Sequence, residues 1–99
     1  MYVVMNRVVV KSDWEAEFES RFQKRAGQID KQPGFVRMAV LKSDGEKICY
    51  IVETTWNSKN DFENWVESED FKLAHQNSMP KEAFGEGGGL EMFNVVVNS

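Results

Sequence analysis

The chain is poor in the residues that small proteins most often use for chemistry, with one cysteine, Cys49, and one histidine, His75, among 99 residues. A single cysteine closes no internal disulfide and builds no thiolate metal site, so Cys49 is expected to be a small buried hydrophobe in a strand. A single histidine with no thiolate cluster beside it leaves no ligand set for zinc. The same scarcity removes Ser-His-Asp and Cys-His catalysis, since neither residue lies near a recognisable nucleophile turn. Basic residues are outnumbered by acidic ones, 12 against 16, and the net charge of −4 argues against nucleic acid as a partner. No apolar run approaches the roughly 20 residues that span a bilayer, so no membrane partner is expected. The apolar start MYVVMNRVVVK is interrupted by Asn6 and Arg7 and has neither the basic flank nor the cleavage site of a signal peptide, so a cytoplasmic protein is expected. Gly87 to Gly89 precede a strand rather than a helix, which excludes a nucleotide-binding loop.

What is present is organised simply. No repeat or linker divides the chain, and residues 1–99 are expected to form one domain. Residues 2 to 10 are rich in valine and read as a strand. Ser12 and Glu15 have the spacing of a capping box, which starts a helix near Asp13. Trp14, Phe18, Phe22, Arg25 and Ile29 recur at helical spacing, and the helix is expected to end between Gly27 and Pro33. Residues 35 to 42 and 47 to 56 are strand-like, and the Asp44-Gly45 pair between them signals a hairpin. Asn57 or Ser58 can cap a second helix carrying Phe62, Trp65 and Val66, followed by a short helix around Glu69 to Asn77 that Pro80 ends. The glycine-rich stretch from Ser78 to Gly89 reads as a mobile loop, and residues 90 to 97 as a last strand.

The order βαββαβ, its second helical region broken in two, predicts an α+β fold: a ferredoxin-like antiparallel sheet with its helices on one face. The strands are apolar on both sides. Tyr2, Val4, Val8 and Val10 alternate with Val3, Met5 and Val9 along the first strand, and one chain has helices for only one face. A homodimer joined sheet to sheet is therefore expected, forming a dimeric α+β barrel.

Three residues stand out chemically. Asn6 interrupts a valine strand, with Val4 and Val8 as same-side neighbours, so its amide should sit in apolar surroundings, bonded either to a neighbouring backbone group or to a ligand. Trp65 lies three residues after Phe62 on the second helix, a position that on its own reads as core before it reads as the wall of a cofactor pocket. His75 lies four residues after Phe71; it is either a surface or structural histidine, or the ligand of a metal needing only one protein ligand, of which haem is the common example. Arg21, Lys24 and Arg25 form the one local basic cluster, which reads as a solvated helix face or as a site for an anionic group.

Together these residues carry a resemblance over nearly the whole chain. Asn6, the Arg21-Phe22 and Arg25 region before Pro33-Gly34-Phe35, the Trp56-x-Ser58 junction, and the run from Phe62 through Trp65 to Phe71 and Ala74-His75 resemble the antibiotic biosynthesis monooxygenase superfamily, and within it the IsdG-type haem-degrading monooxygenases. The resemblance implies that His75 is the axial ligand of haem iron, that Asn6 donates a hydrogen bond on the opposite side of the porphyrin, and that Trp65 presses on the ring and ruffles it. It implies that Phe22 lines the pocket and that Arg21 or Arg25 meets the propionates. Haem would then be both substrate and cofactor, opened with O2 and with electrons from an external donor such as a separate reductase. A cofactorless monooxygenase of aromatic polyketides would use Asn6 and Trp65 without His75, and a haem carrier or sensor would bind without turnover. A plain dimeric structural domain would do neither.

Overall fold

A computed structural model describes residues 1–25, 28–75 and 78–99, with the backbone alone for Arg25. Four strands form one antiparallel sheet: β1 (Tyr2–Val8), β2 (Phe35–Lys42), β3 (Tyr50–Trp56) and β4 (Gly89–Asn94), in the order β2-β3-β1-β4. The helices are α1 (Glu15–Arg25), α2 (Lys59–Glu67) and α3 (Glu69–Ala74). This is the ferredoxin-like α+β arrangement that the element order predicts. No helix among the described residues is long and apolar enough to cross a membrane.

Several boundaries differ from the sequence reading, each for a local reason. Ser12 does not cap α1; it opens a 3-10 turn, Ser12–Trp14, preceded by Lys11 and without a side-chain cap, and α1 starts only at Glu15. Ile29 lies on a separate 3-10 turn, Ile29–Lys31, and the expected end of α1 at Gly27 falls outside the described residues. β3 begins at Tyr50 instead of residue 47, because Ser43 closes the hairpin early. Its Oγ donates to the Lys47 carbonyl at 3.0 Å and accepts from the Cys49 N–H at 2.9 Å, so residues 43–49 form a loop longer than a two-residue Asp-Gly turn. Cys49 is accordingly half-buried at the loop's end, where its sulfur accepts a hydrogen bond from Arg7 at 3.4 Å.

Ser58, not Asn57, caps α2, accepting the Asp61 N–H at 3.2 Å. Gly34 has φ +79°, and any side chain there would collide with the Asp61 carboxylate, so the turn into β2 and the α2 cap share one close approach that only glycine permits. α3 ends at Ala74, and the expected end at Asn77 lies outside the described residues. The last strand stops at Asn94, leaving Val96 and Val97 exposed. The stretch after Ser78 is not a loose loop throughout. Met79 and Ala83 are buried, Lys11 N–H donates to the Ala83 carbonyl at 2.8 Å, and Gly85 N–H to the Val9 carbonyl at 2.9 Å.

The core is divided. One half gathers Tyr2, Val4, Ile29, Trp56 and Trp65 beneath α2 and α3; the other gathers Val10, Phe18, Tyr50, Met79 and Ala83 beneath α1. Along β1, Val4 belongs to the first half and Val8 packs on the second, with Asn6 between them. The helical layer therefore covers the sheet at its two ends and leaves a gap over its middle. On the opposite, helix-free face, Val3, Met5 and Ile51 are half-buried, while Leu41 and Phe93 are each 44% exposed.

Candidate functional site

The gap between the two half-cores is a cleft of about 620 Å³, within the range of small-molecule sites. Its floor is the sheet, where Asn6, Met38, Val52 and Thr54 face upward. α1 supplies Phe18, Arg21 and Phe22 as one wall, and α2 and α3 supply Phe62, Trp65, Phe71 and His75 as the other. Met79 and Phe84, from the tied-down segment after Ser78, close an end. The lining is mostly apolar and aromatic, and Arg21 is the one permanently charged side chain in it among the described residues.

Asn6, Trp65, His75, Arg21 and Phe22 all line this one cleft. The side chain of Arg25 lies outside the described residues. Asn6 departs from expectation in one respect: it is exposed, not buried among apolar groups, because no helix crosses the sheet above it. The half-core boundary runs through its position, so its amide faces the cleft.

Trp65 is 6% exposed and well fixed. Its indole stacks on Trp56 with centroids 6.4 Å apart and receives the edge of Phe71 at 5.4 Å. His75 is exposed on the cleft side, at the C-cap of α3. Its ring stacks on Phe71 at 4.1 Å, and Nδ1 lies 2.8 Å from the Phe71 carbonyl oxygen. A carbonyl only accepts, so Nδ1 donates in that contact and Nε2 is the ring nitrogen left for a ligand. The imidazole is thus held in one direction as a single nitrogen ligand. No group of three or more His, Cys, Asp or Glu among the described residues is placed to hold a metal ion by itself. A metal arriving inside a macrocycle needs one protein donor, and this site offers one.

Arg21 Nε donates to Glu17 Oε1 at 2.9 Å, one helical turn back on α1. The pair leaves a guanidinium on the wall of an otherwise apolar cleft, an arrangement that suits a flat apolar molecule with carboxylates at one edge. The residues that sequence reading missed are those with no chemical signature of their own. The Phe71 carbonyl is a backbone atom; Met38, Thr54, Met79 and Phe84 come together only through the sheet register and the segment after Ser78. Phe84 is placed by its pairing with Val10.

Comparison with known proteins agrees with this geometry. Residues 1–77 match the family model of antibiotic biosynthesis monooxygenases. The chain is 40% identical over 79 residues to a heme oxygenase (staphylobilin-producing) of Staphylococcus haemolyticus, covering 78% of this chain and 75% of that protein. It is 30% identical over 99 residues to a heme-degrading monooxygenase of Shouchella clausii, covering 98% and 92% of the two chains. Among solved structures it superposes with a TM-score of 0.82 on the heme-degrader MhuD from Mycobacterium tuberculosis with two hemes bound in its active site, at 27% identity over 100% of this chain and 99% of that one.

Proposed function

This chain belongs to the antibiotic biosynthesis monooxygenase family, and from that premise we propose that it is a haem-degrading monooxygenase whose substrate lies in the cleft between the two half-cores. The observation that carries the reading is the placement of His75: an imidazole with its Nδ1–H tied to the Phe71 carbonyl, lining an aromatic cleft that also holds Asn6 and Trp65. Haem, as substrate, supplies the iron at which dioxygen is activated. The chain's own groups supply placement. His75 Nε2 is the axial ligand, and the backbone bond at Nδ1 keeps the ring aimed and raises its donor strength. Asn6, on the sheet floor, offers amide N–H donors to the opposite side of the ring. Trp65 is backed by Trp56 and cannot retreat, so it bends a porphyrin pressed against it. Phe22 packs on the ring, and Arg21 or Arg25 meets the propionates.

The electrons come from outside, since nothing in the sequence has the glycine pattern of a nucleotide-binding loop; a separate reductase serves in the cell and ascorbate in vitro. The working unit is a homodimer, supported by the apolar residues on the helix-free face. The test is to add hemin to the purified protein, record the Soret band, then add ascorbate with catalase present. A shifted Soret band that decays to a bilin-like spectrum supports the enzyme. A stable shifted band indicates a carrier or sensor, and no shift indicates a cofactorless oxygenase or a structural domain.

A further inference from the structure

α2 and α3 meet at a single residue. Ser68 is at once the C-cap of the helix that carries Trp65 and the N-cap of the helix that ends at His75. Its hydroxyl bonds in both directions: Oγ–H donates to the Trp65 carbonyl at 2.6 Å, and Oγ accepts the Phe71 N–H at 3.1 Å. The Ser68 N–H also donates to the Trp65 carbonyl, at 3.0 Å. Phe71 in turn holds the His75 ring through its carbonyl and its aromatic face. A continuous set of bonds thus runs from Trp65 through Ser68 and Phe71 to His75.

We propose that Ser68 is a positioning residue that fixes Trp65 and His75 relative to one another, and thereby sets how far a bound porphyrin is bent and which of its meso carbons is attacked. The part concerning the porphyrin rests on the haem reading above. A helix cap by itself requires only that Oγ accept a bond from the first turn of α3. The donor half is additional: it gives the Trp65 carbonyl a second bond beside that from the Ser68 N–H, and it ties the end of α2 to the start of α3 through one side-chain hydroxyl. α3 has six residues, too few to hold a direction without such support. A second brace, Gln32 Nε2 to Asp70 Oδ2 at 2.9 Å, keeps α3 docked when Ser68 is changed, so variants at this position should fold.

Three substitutions separate the two halves of the hydroxyl's role. Ser68→Thr keeps donor and acceptor, Ser68→Asp keeps only the acceptor at neutral pH, and Ser68→Ala keeps neither. Three readouts follow geometry and not mere stability. In the protein without haem, the stacked Trp56 and Trp65 indoles give an exciton couplet in circular dichroism. In the ferric haem complex, the spread of the porphyrin methyl proton resonances follows ring distortion, and the turnover product records the carbon at which the ring opened. Ser68→Thr is expected to match the wild type throughout. Ser68→Asp is expected to keep the thermal midpoint yet change the couplet, shift the methyl pattern and mix the ring-opening positions, and Ser68→Ala to do all of this with a lowered midpoint. If Ser68→Ala or Ser68→Asp keeps the wild-type couplet and methyl pattern, the inference is overturned. If the couplet follows the series while the wild type takes up no hemin, the haem reading falls and the hold of Ser68 on Trp65 stands.

Discussion

At His75 the decisive atom is the nitrogen that the backbone does not use. Because the Phe71 carbonyl accepts the Nδ1–H, the ring leaves Nε2 for the cleft and is held in one orientation. His75→Ala is therefore expected to abolish tight hemin binding, read as the loss of the shifted Soret band in a titration. Asn6 acts differently. Its amide contributes a donor and not a bond to iron, so Asn6→Ala should leave the hemin affinity nearly unchanged and slow ascorbate-driven ring opening by about a hundred-fold, the scale on which losing one preorganised donor lowers turnover. Equal turnover in Asn6→Ala would remove the amide from the account. Residues of this kind are legible in a sequence because each breaks its local pattern: an amide among valines, a lone histidine at a helix end. The Phe71 carbonyl was not, since a backbone acceptor has no letter, and neither was the exposure of Asn6, which depends on where two helices happen to stop. Ser68 carried a signal, a serine followed by Glu69 and Asp70, the composition of a helix start.

The elements are held in place by caps and by one buried phenol. Ser58 caps α2, and Ser58→Ala should cost about 1 kcal/mol, the usual cost of a lost N-cap, measured by urea denaturation. α1 is joined to the sheet through Tyr50, which is 1% exposed and donates to Glu19 Oε2 at 2.5 Å; Lys42 reaches the same carboxylate at 3.3 Å. Burial, and then the bond to Glu19, push the Tyr50 phenol up to about 12, above its ordinary value. A raised folded-state value means that this stabilisation is complete below about pH 10 and is lost as pH rises through about 12. Unfolding free energy should fall between about pH 10 and about pH 12 in the wild type, and less steeply in Tyr50→Phe. Glu19 behaves in the opposite sense. Its carboxyl is held below the usual range, first by the Tyr50 hydroxyl and then by Lys42, so its contribution is present above the unfolded-state value and is lost as pH falls through the folded one. The order and type of the elements were legible from periodicity alone, and Phe35–Lys42 coincides with its expected strand. The ends were less so. Ser43 closing a loop by its side chain, or Ser12 opening a 3-10 turn instead of capping α1, are outcomes of local hydrogen bonding that several residues compete for.

As a whole, the molecule is a sheet with its helices on one side and an apolar surface on the other. Val3, Met5, Ile51, Leu41 and Phe93 lie on that helix-free face, interrupted by the Arg37–Glu53 pair at 3.3 Å. Pairing of two such sheets would cover it, and Phe93→Glu, which sets a charge opposite Val3, should convert the sedimenting species to a monomer and make the thermal midpoint insensitive to protein concentration. A wild-type chain that sediments as a monomer at every concentration would contradict the pairing. The apolar alternation on both faces made this legible. The division of the core was not, because it arises from helices of a particular length meeting a sheet of a particular width. That division opens the cleft, and its use depends on one nitrogen. Since the chain has a single histidine, labelling histidine with nitrogen-15 at Nε2 marks one atom in the protein. Electron-nuclear double resonance on the ferric haem complex should then show the strong coupling of a nitrogen bonded to iron, and a spectrum without that coupling would contradict the account.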